Sequence, residues 1–162
     1  MINFNADEVF EMAEQIERNG AAFYRKAAEG AASSCAGRLR KLAAMEDDHE
    51  RTFHQIRTEL AGEGKLKRDF DPDDEAARYL RAMADGKVFD FDSAPAEKLT
   101  GSESIEDILQ TAIGLEKDSI LFYLVMEKAV PAGAGRDAID KIIAQEVEHV
   151  AILSGELAAV AS

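Results

Sequence analysis

The sequence predicts an all-α fold: four long helices paired as two hairpins, with a long crossover between them. Three observations carry this. Apolar residues recur at helical spacing between recognisable caps. Two connections are too short to do anything but turn the chain back, while a third is about forty residues long. And the second pair of helices repeats key residues of the first. The 162 residues suit one compact domain with a sizeable core, and a single domain over 1–162 is expected.

The first hairpin is expected over 5–62. Asn5 can cap a helix, with Glu8 three residues on completing a capping-box pair. Val9, Met12, Ala13, Ile16, Phe23 and Ala27 then follow at helical spacing, and Gly30 ends the pattern. Ser33 or Ser34 can start the next helix. Leu39, Leu42, Met45, His49, Phe53 and Ile56 form its broad face, and Gly62 and Gly64 stop it.

Residues 63–103 read differently. A short helix is expected from Asp71 as cap and Pro72 as first residue to Gly86 beyond its end. The stretch 87–103 reads as loop. The second hairpin is expected over 104–160. Ser104 and Asp107 form a capping signature, a long apolar helix runs to Pro131, "PAGAG" makes the turn, and a last helix occupies about 135–160. A helix of roughly 27 residues is about 40 Å long, which the forty-residue connection can span. Such a crossover is the connectivity of ferritin-like bundles rather than of a simple up-and-down bundle.

Ala13, Glu17, Phe23 and Tyr24 match Ala112, Glu116, Phe122 and Tyr123 at an offset of 99. Lys41, Ala44, Glu46 and His49 match Lys141, Ala144, Glu146 and His149 at an offset of 100. The one-residue change falls at the hairpin turn, where insertions are tolerated best. Two of the three histidines, His49 and His149, thus have a Glu three residues earlier; His54 has Arg51 there. On a helix that spacing lets a carboxylate and an imidazole address one point. The midpoint between Glu17 and Glu46 lies between Ala31 and Ala32, and that between Glu116 and Glu146 is Pro131. Each pair is therefore equidistant from its turn and should meet at one height across its hairpin. One Glu from each of two helices plus Glu-x-x-His from each of the other two is the ligand inventory of di-iron carboxylate bundles. Four carboxylates also balance two divalent cations, and imidazole with carboxylate suits iron, manganese or zinc.

The formal net charge of -13 argues against a nucleic-acid partner and against an anionic membrane surface. It favours solubility and can attract cations. A single cysteine, Cys35, rules out a disulfide framework or a Cys-x-x-Cys metal knot within the chain. The N-terminal stretch does not read as a signal peptide, and the longest apolar run, "ILFYLVM" at 120–126, is too short to span a membrane. A cytoplasmic location is the expectation.

At these residues the chain resembles the rubrerythrin-like branch of the ferritin-like superfamily, over roughly 5–60 and 104–160. The resemblance implies a four-helix bundle holding two non-haem irons, with manganese or zinc as substitutes. It implies Glu17, Glu46, His49, Glu116, Glu146 and His149 as ligands: Glu46 and Glu146 bridging, Glu17 and Glu116 terminal, one His per iron. It further implies an oxidoreductase that reduces peroxide or dioxygen, and a homodimer to which the apolar 120–126 run can contribute. Two features depart from rubrerythrins. Ser119 stands where they carry a further carboxylate, and the rubredoxin-type Cys-x-x-Cys pairs are missing, so electrons are expected from a separate donor such as a rubredoxin-like protein. The other readings are a ferroxidase that handles iron and a non-enzymatic, metal-stabilised bundle that binds partners.

Tyr24 and Tyr123 lie seven residues after Glu17 and Glu116, two turns on and on nearly the same face. They can hydrogen-bond the carboxylates, act as redox-active side chains, or be ordinary core tyrosines. Glu50, one turn past Glu46, could join the site, but its repeat counterpart is Val150, which favours a solvated or paired role. His54 is expected at the surface, as are Asp48 and Glu148.

Overall fold

A computed structural model describes residues 5–66, 78–80, 82, 94–130 and 135–160. Four long helices dominate it: α1 (Ala6–Gly30), α2 (Ser33–Gly62), α3 (Ile105–Ala129) and α4 (Arg136–Val160). They pack as the hairpins α1–α2 and α3–α4, with α1 also against α3 and α2 against α4.

The caps explain where the helices begin. Asn5 accepts from the Glu8 amide at 3.0 Å while Glu8 accepts from the Asn5 amide at 2.9 Å, a complete capping box. Ser104 accepts from the Asp107 amide in the same way at 3.1 Å. α2 begins where expected, at Ser33, but without a side-chain cap: Ala32 is the residue before it. The short α1–α2 turn supplies the geometry instead: Ala31 and Ala32 are both extended, and the Ala36 amide bonds to the Ala32 carbonyl.

At the other end of the molecule Gly135 precedes α4 with φ +77°, and a Cβ there would lie 2.8 Å from Ile56 Cγ2. Backbone conformation and close packing therefore both call for glycine. Residues 131–134 of the expected "PAGAG" turn lie outside the described residues, as do Asp71, Pro72 and Gly86 of the expected short helix. Residues 78–80 and 82 are helical. Within the expected loop at 87–103, Pro95–Lys98 form a 3₁₀ turn packed against α1. Pro95 at its start supplies the required φ and has no N–H to leave unsatisfied.

Two apolar clusters fill the bundle. One is built around Phe10, Phe53, Leu80, Phe122 and Ile139, the other around Phe23, Leu39, Leu109 and Leu153. Leu80 is fully buried in the first and Leu99 packs on the second, so the crossover reaches both ends of the bundle. Phe122, Tyr123 and Met126 of the 120–126 run are buried, whereas Leu121 and Leu124 are 45% and 43% exposed. No helix among the described residues is long and apolar enough to cross a membrane.

Candidate metal centre

A polar layer lies between the two apolar clusters. Glu17, Glu46, Glu116, Glu146, His49 and His149 are all buried, none more than 4% exposed. Two come from each hairpin's Glu-x-x-His helix and one from each of the other helices. The antiparallel pairing sets their heights: Tyr24 of α1 meets Glu116 of α3, Tyr123 of α3 meets Glu17 of α1, and the two Glu-x-x-His pairs meet head to tail across α2 and α4.

The two imidazoles stack at 5.7 Å between centroids, only 17° from parallel, and each presents Nδ1 to the layer's centre. Around His49 Nδ1 stand Glu146 Oε1 at 2.8 Å, Glu17 Oε2 at 3.5 Å and Glu46 Oε2 at 3.9 Å. Around His149 Nδ1 stand Glu146 Oε2 at 3.0 Å, Glu46 Oε1 at 3.2 Å and Glu116 Oε1 at 3.5 Å. Glu46 and Glu146 thus give one oxygen to each side, whereas Glu17 serves only the His49 side and Glu116 only the His149 side. The donor atoms form two overlapping sets, each with all atoms within 4.8 Å of one another: Glu17, Glu46, His49 and Glu146, and Glu46, Glu116, Glu146 and His149.

Several of these atoms have no aligned hydrogen-bond partner among the described residues, namely Glu17 Oε2, Glu46 Oε1, both oxygens of Glu146 and Nδ1 of both histidines. They crowd together at the centre of the layer, Glu146 Oε1 lying 2.8 Å from His49 Nδ1 and Glu146 Oε2 3.0 Å from His149 Nδ1. Buried polar atoms in this condition are costly, and a pair of cations between them would satisfy every one. The donor set fits: three carboxylates and one imidazole at each position, with two carboxylates shared.

The tyrosines orient the unshared carboxylates. Tyr24 donates its hydroxyl to Glu116 Oε1, and Tyr123 donates to Glu17 Oε1 at 2.5 Å. Burial, followed by the carboxylate each one touches, pushes both phenols well above their ordinary pKa. They therefore stay protonated donors. Burial likewise pushes Glu17, Glu46 and Glu116 well above the usual carboxylate range. Glu146 goes the other way: burial would raise it, but the imidazoles of His149 and His49 beside it bring it below that range. Burial alone would lower both histidines. The adjacent carboxylates reverse this, raising His49 and lifting His149 to about 12. The metal-free layer thus balances its charge by holding protons.

Other singled-out residues fall outside this layer. Glu50 pairs with Arg18 at 2.8 Å. Asp48 and Glu148 are exposed. His54 is exposed, with Nδ1 3.5 Å from Glu14. The Ser119 hydroxyl turns back to its own helix, donating to the Leu115 carbonyl at 3.0 Å. Two neighbours of the layer carry no signal in the sequence. Gln145 Oε1 lies 3.2 Å from His49 Nε2 and fixes the ring's outward nitrogen. Glu14, only 5% exposed, is held by Arg57 at 3.5 Å and Arg18 at 3.6 Å. The Gln145–His49 and Arg57–Glu14 contacts cross between helices, where local spacing is uninformative; Arg18–Glu14 is an i,i+4 pair within α1.

Fold and site together define a helical-bundle protein with a buried carboxylate–imidazole layer. Comparison with solved structures shows the fold to be ferritin-like. It is similar to a Thermotoga maritima crystal structure described as that of a candidate ferritin-like diiron-carboxylate protein, with a TM-score of 0.72 and 19% sequence identity over 97% of each chain. No family model matches the sequence, and no curated protein matches it.

Proposed function

We propose that this chain binds two iron ions in the polar layer and works as an oxidoreductase of rubrerythrin type, reducing peroxide or dioxygen with electrons from a separate donor. The observation that carries the reading is the pair of overlapping donor sets that share Glu46 and Glu146. Glu17 and His49 complete one position, Glu116 and His149 the other. The similarity to a candidate diiron-carboxylate protein supports iron as the metal.

A bound iron pair would supply the two electrons that convert peroxide, with two protons, to two waters. The chain's own part is to place and insulate the reaction. Glu46 and Glu146 hold the two positions side by side. Tyr123 and Tyr24 fix Glu17 and Glu116, each donating its hydroxyl proton to Oε1 of the carboxylate it touches. The two apolar clusters exclude bulk water above and below the layer. The only cysteine, Cys35, has no partner for a rubredoxin-type iron, so a reductant outside the chain has to restore the electrons.

The test is anaerobic loading with ferrous iron followed by titration with hydrogen peroxide. The reading expects one peroxide consumed per two irons oxidised, and repeated turnover once a chemical reductant is supplied. Continued uptake and oxidation of many irons per chain, with the product retained, would instead identify an iron-handling ferroxidase. Bound metal with no redox response would leave a metal-stabilised bundle.

A further inference from the structure

Gly20 stands inside α1, ten residues before its end. Glycine there destabilises a helix by about 1 kcal/mol relative to alanine. Neither steric reason for a glycine applies. Its φ is not positive, and an added Cβ would lie 3.4 Å from Glu46 Oε2, 3.5 Å from its Cγ and 3.6 Å from its Cδ, all ordinary contacts. What such a Cβ would touch is nevertheless specific: its three nearest atoms all belong to one carboxylate side chain of the polar layer. Gly20 is itself half-buried, while Glu46 behind it is 4% exposed. In the repeat the equivalent position is Ser119, 8% exposed, whose hydroxyl is tied to the Leu115 carbonyl. At these repeat-related positions the layer is thus flanked by a residue with no side chain on one side and by a buried serine on the other.

Other features distinguish the same side. Glu46 Oε2, the atom nearest Gly20's missing Cβ, faces His49. His49 is the histidine whose outer nitrogen is fixed by Gln145; the repeat equivalent of Gln145 is Met45, and His149 Nε2 has no hydrogen-bond partner among the described residues. Along the α1–α2 seam the cross-helix pairs Arg18–Glu50 and Arg25–Asp47 lie on either side of Gly20 in sequence and hold the two helices together.

We propose that Gly20 is a port: its missing side chain leaves the opening through which a divalent cation reaches the position held by Glu17 and His49, and gives the Glu46 carboxylate room to move as it takes the ion up. This rests on the paired-ion reading above. That position, beside Gly20 and with a pre-oriented imidazole, fills first.

The experiment follows cobalt(II) binding to the metal-free full chain by stopped-flow absorbance, in wild type, Gly20→Ala, Gly20→Leu and Ser119→Ala. Gly20→Ala should fold, with a raised melting temperature. Both Gly20 variants should reach the wild-type cobalt content at equilibrium but load more slowly, the leucine variant more slowly than the alanine variant. Ser119→Ala should load at the wild-type rate. Wild type and Gly20→Ala loading at the same rate would overturn the port while leaving the paired-ion reading standing. Wild type that takes up no cobalt, zinc or iron would overturn both.

Discussion

At the scale of single residues, sharing is the property that separates the six donors. Glu46 and Glu146 each face both histidines, so removing either disturbs both positions; Glu17 and Glu116 each face one. Glu116→Ala should therefore keep about one ion per chain while Glu146→Ala keeps essentially none, a distinction the symmetric ligand inventory makes testable by elemental analysis. The tyrosines act one step out. Tyr123→Phe removes the hydroxyl that donates to Glu17 Oε1, and leaving a buried acceptor unpaired should lower stability by about 1–3 kcal/mol in denaturant unfolding. The same variant should weaken metal binding less than loss of Glu17 itself.

At the scale of the helices, the stops and starts matter as much as the faces. Gly135 combines a positive φ with a 2.8 Å approach to Ile56. Gly135→Ala should thus destabilise the fold by about 1–3 kcal/mol, opposite in sign to Gly20→Ala, and thermal unfolding of the pair compares the two directly. The elements were largely legible in the sequence because their signals are local. Asn5 with Glu8, and Ser104 with Asp107, announce the caps of α1 and α3. The start of α2 was legible in place but not in cause, since Ala32 offers no side-chain oxygen and the turn geometry does the work. The 3₁₀ turn at Pro95–Lys98 was not legible: four helical residues leave no periodicity to detect, and what holds them is packing on α1.

At the scale of the whole molecule, the repeat made the polar layer readable. Equal distances from the two turns brought Glu17 to Glu46 and Glu116 to Glu146, and the crossover allowed the hairpins to face each other. What spacing could not reveal was the meaning of the repeat's mismatches: Gly20 against Ser119 and Met45 against Gln145 stand in the sequence, but that Gly20 lies on Glu46 and Gln145 on His49 is settled only across the bundle. The layer's electrostatics make the stability of the fold depend on pH. Glu17, Glu46 and Glu116 hold protons in the folded, metal-free state that the unfolded chain releases near pH 4.5. His49 and His149 do the same from pH 6.5 upward, where the unfolded imidazoles lose theirs. The folded state therefore binds more protons, and stability falls as pH rises through the raised folded pKa values. Glu146, lowered instead, contributes stability that is lost only as pH falls below its unfolded value. The melting temperature of the metal-free protein should accordingly drop between about pH 6 and pH 9, while metal affinity rises over that range because binding displaces protons.

The paired site is the centre of this account, and metal content per chain tests it most directly. After anaerobic loading with ferrous iron and desalting, elemental analysis should give about two irons per chain, and the Glu46→Ala, Glu146→Ala double variant should keep none while retaining its helical circular dichroism. Wild-type protein that folds as described yet retains no iron, zinc or manganese would contradict it, and would leave the buried carboxylates as a proton-holding layer of a structural bundle.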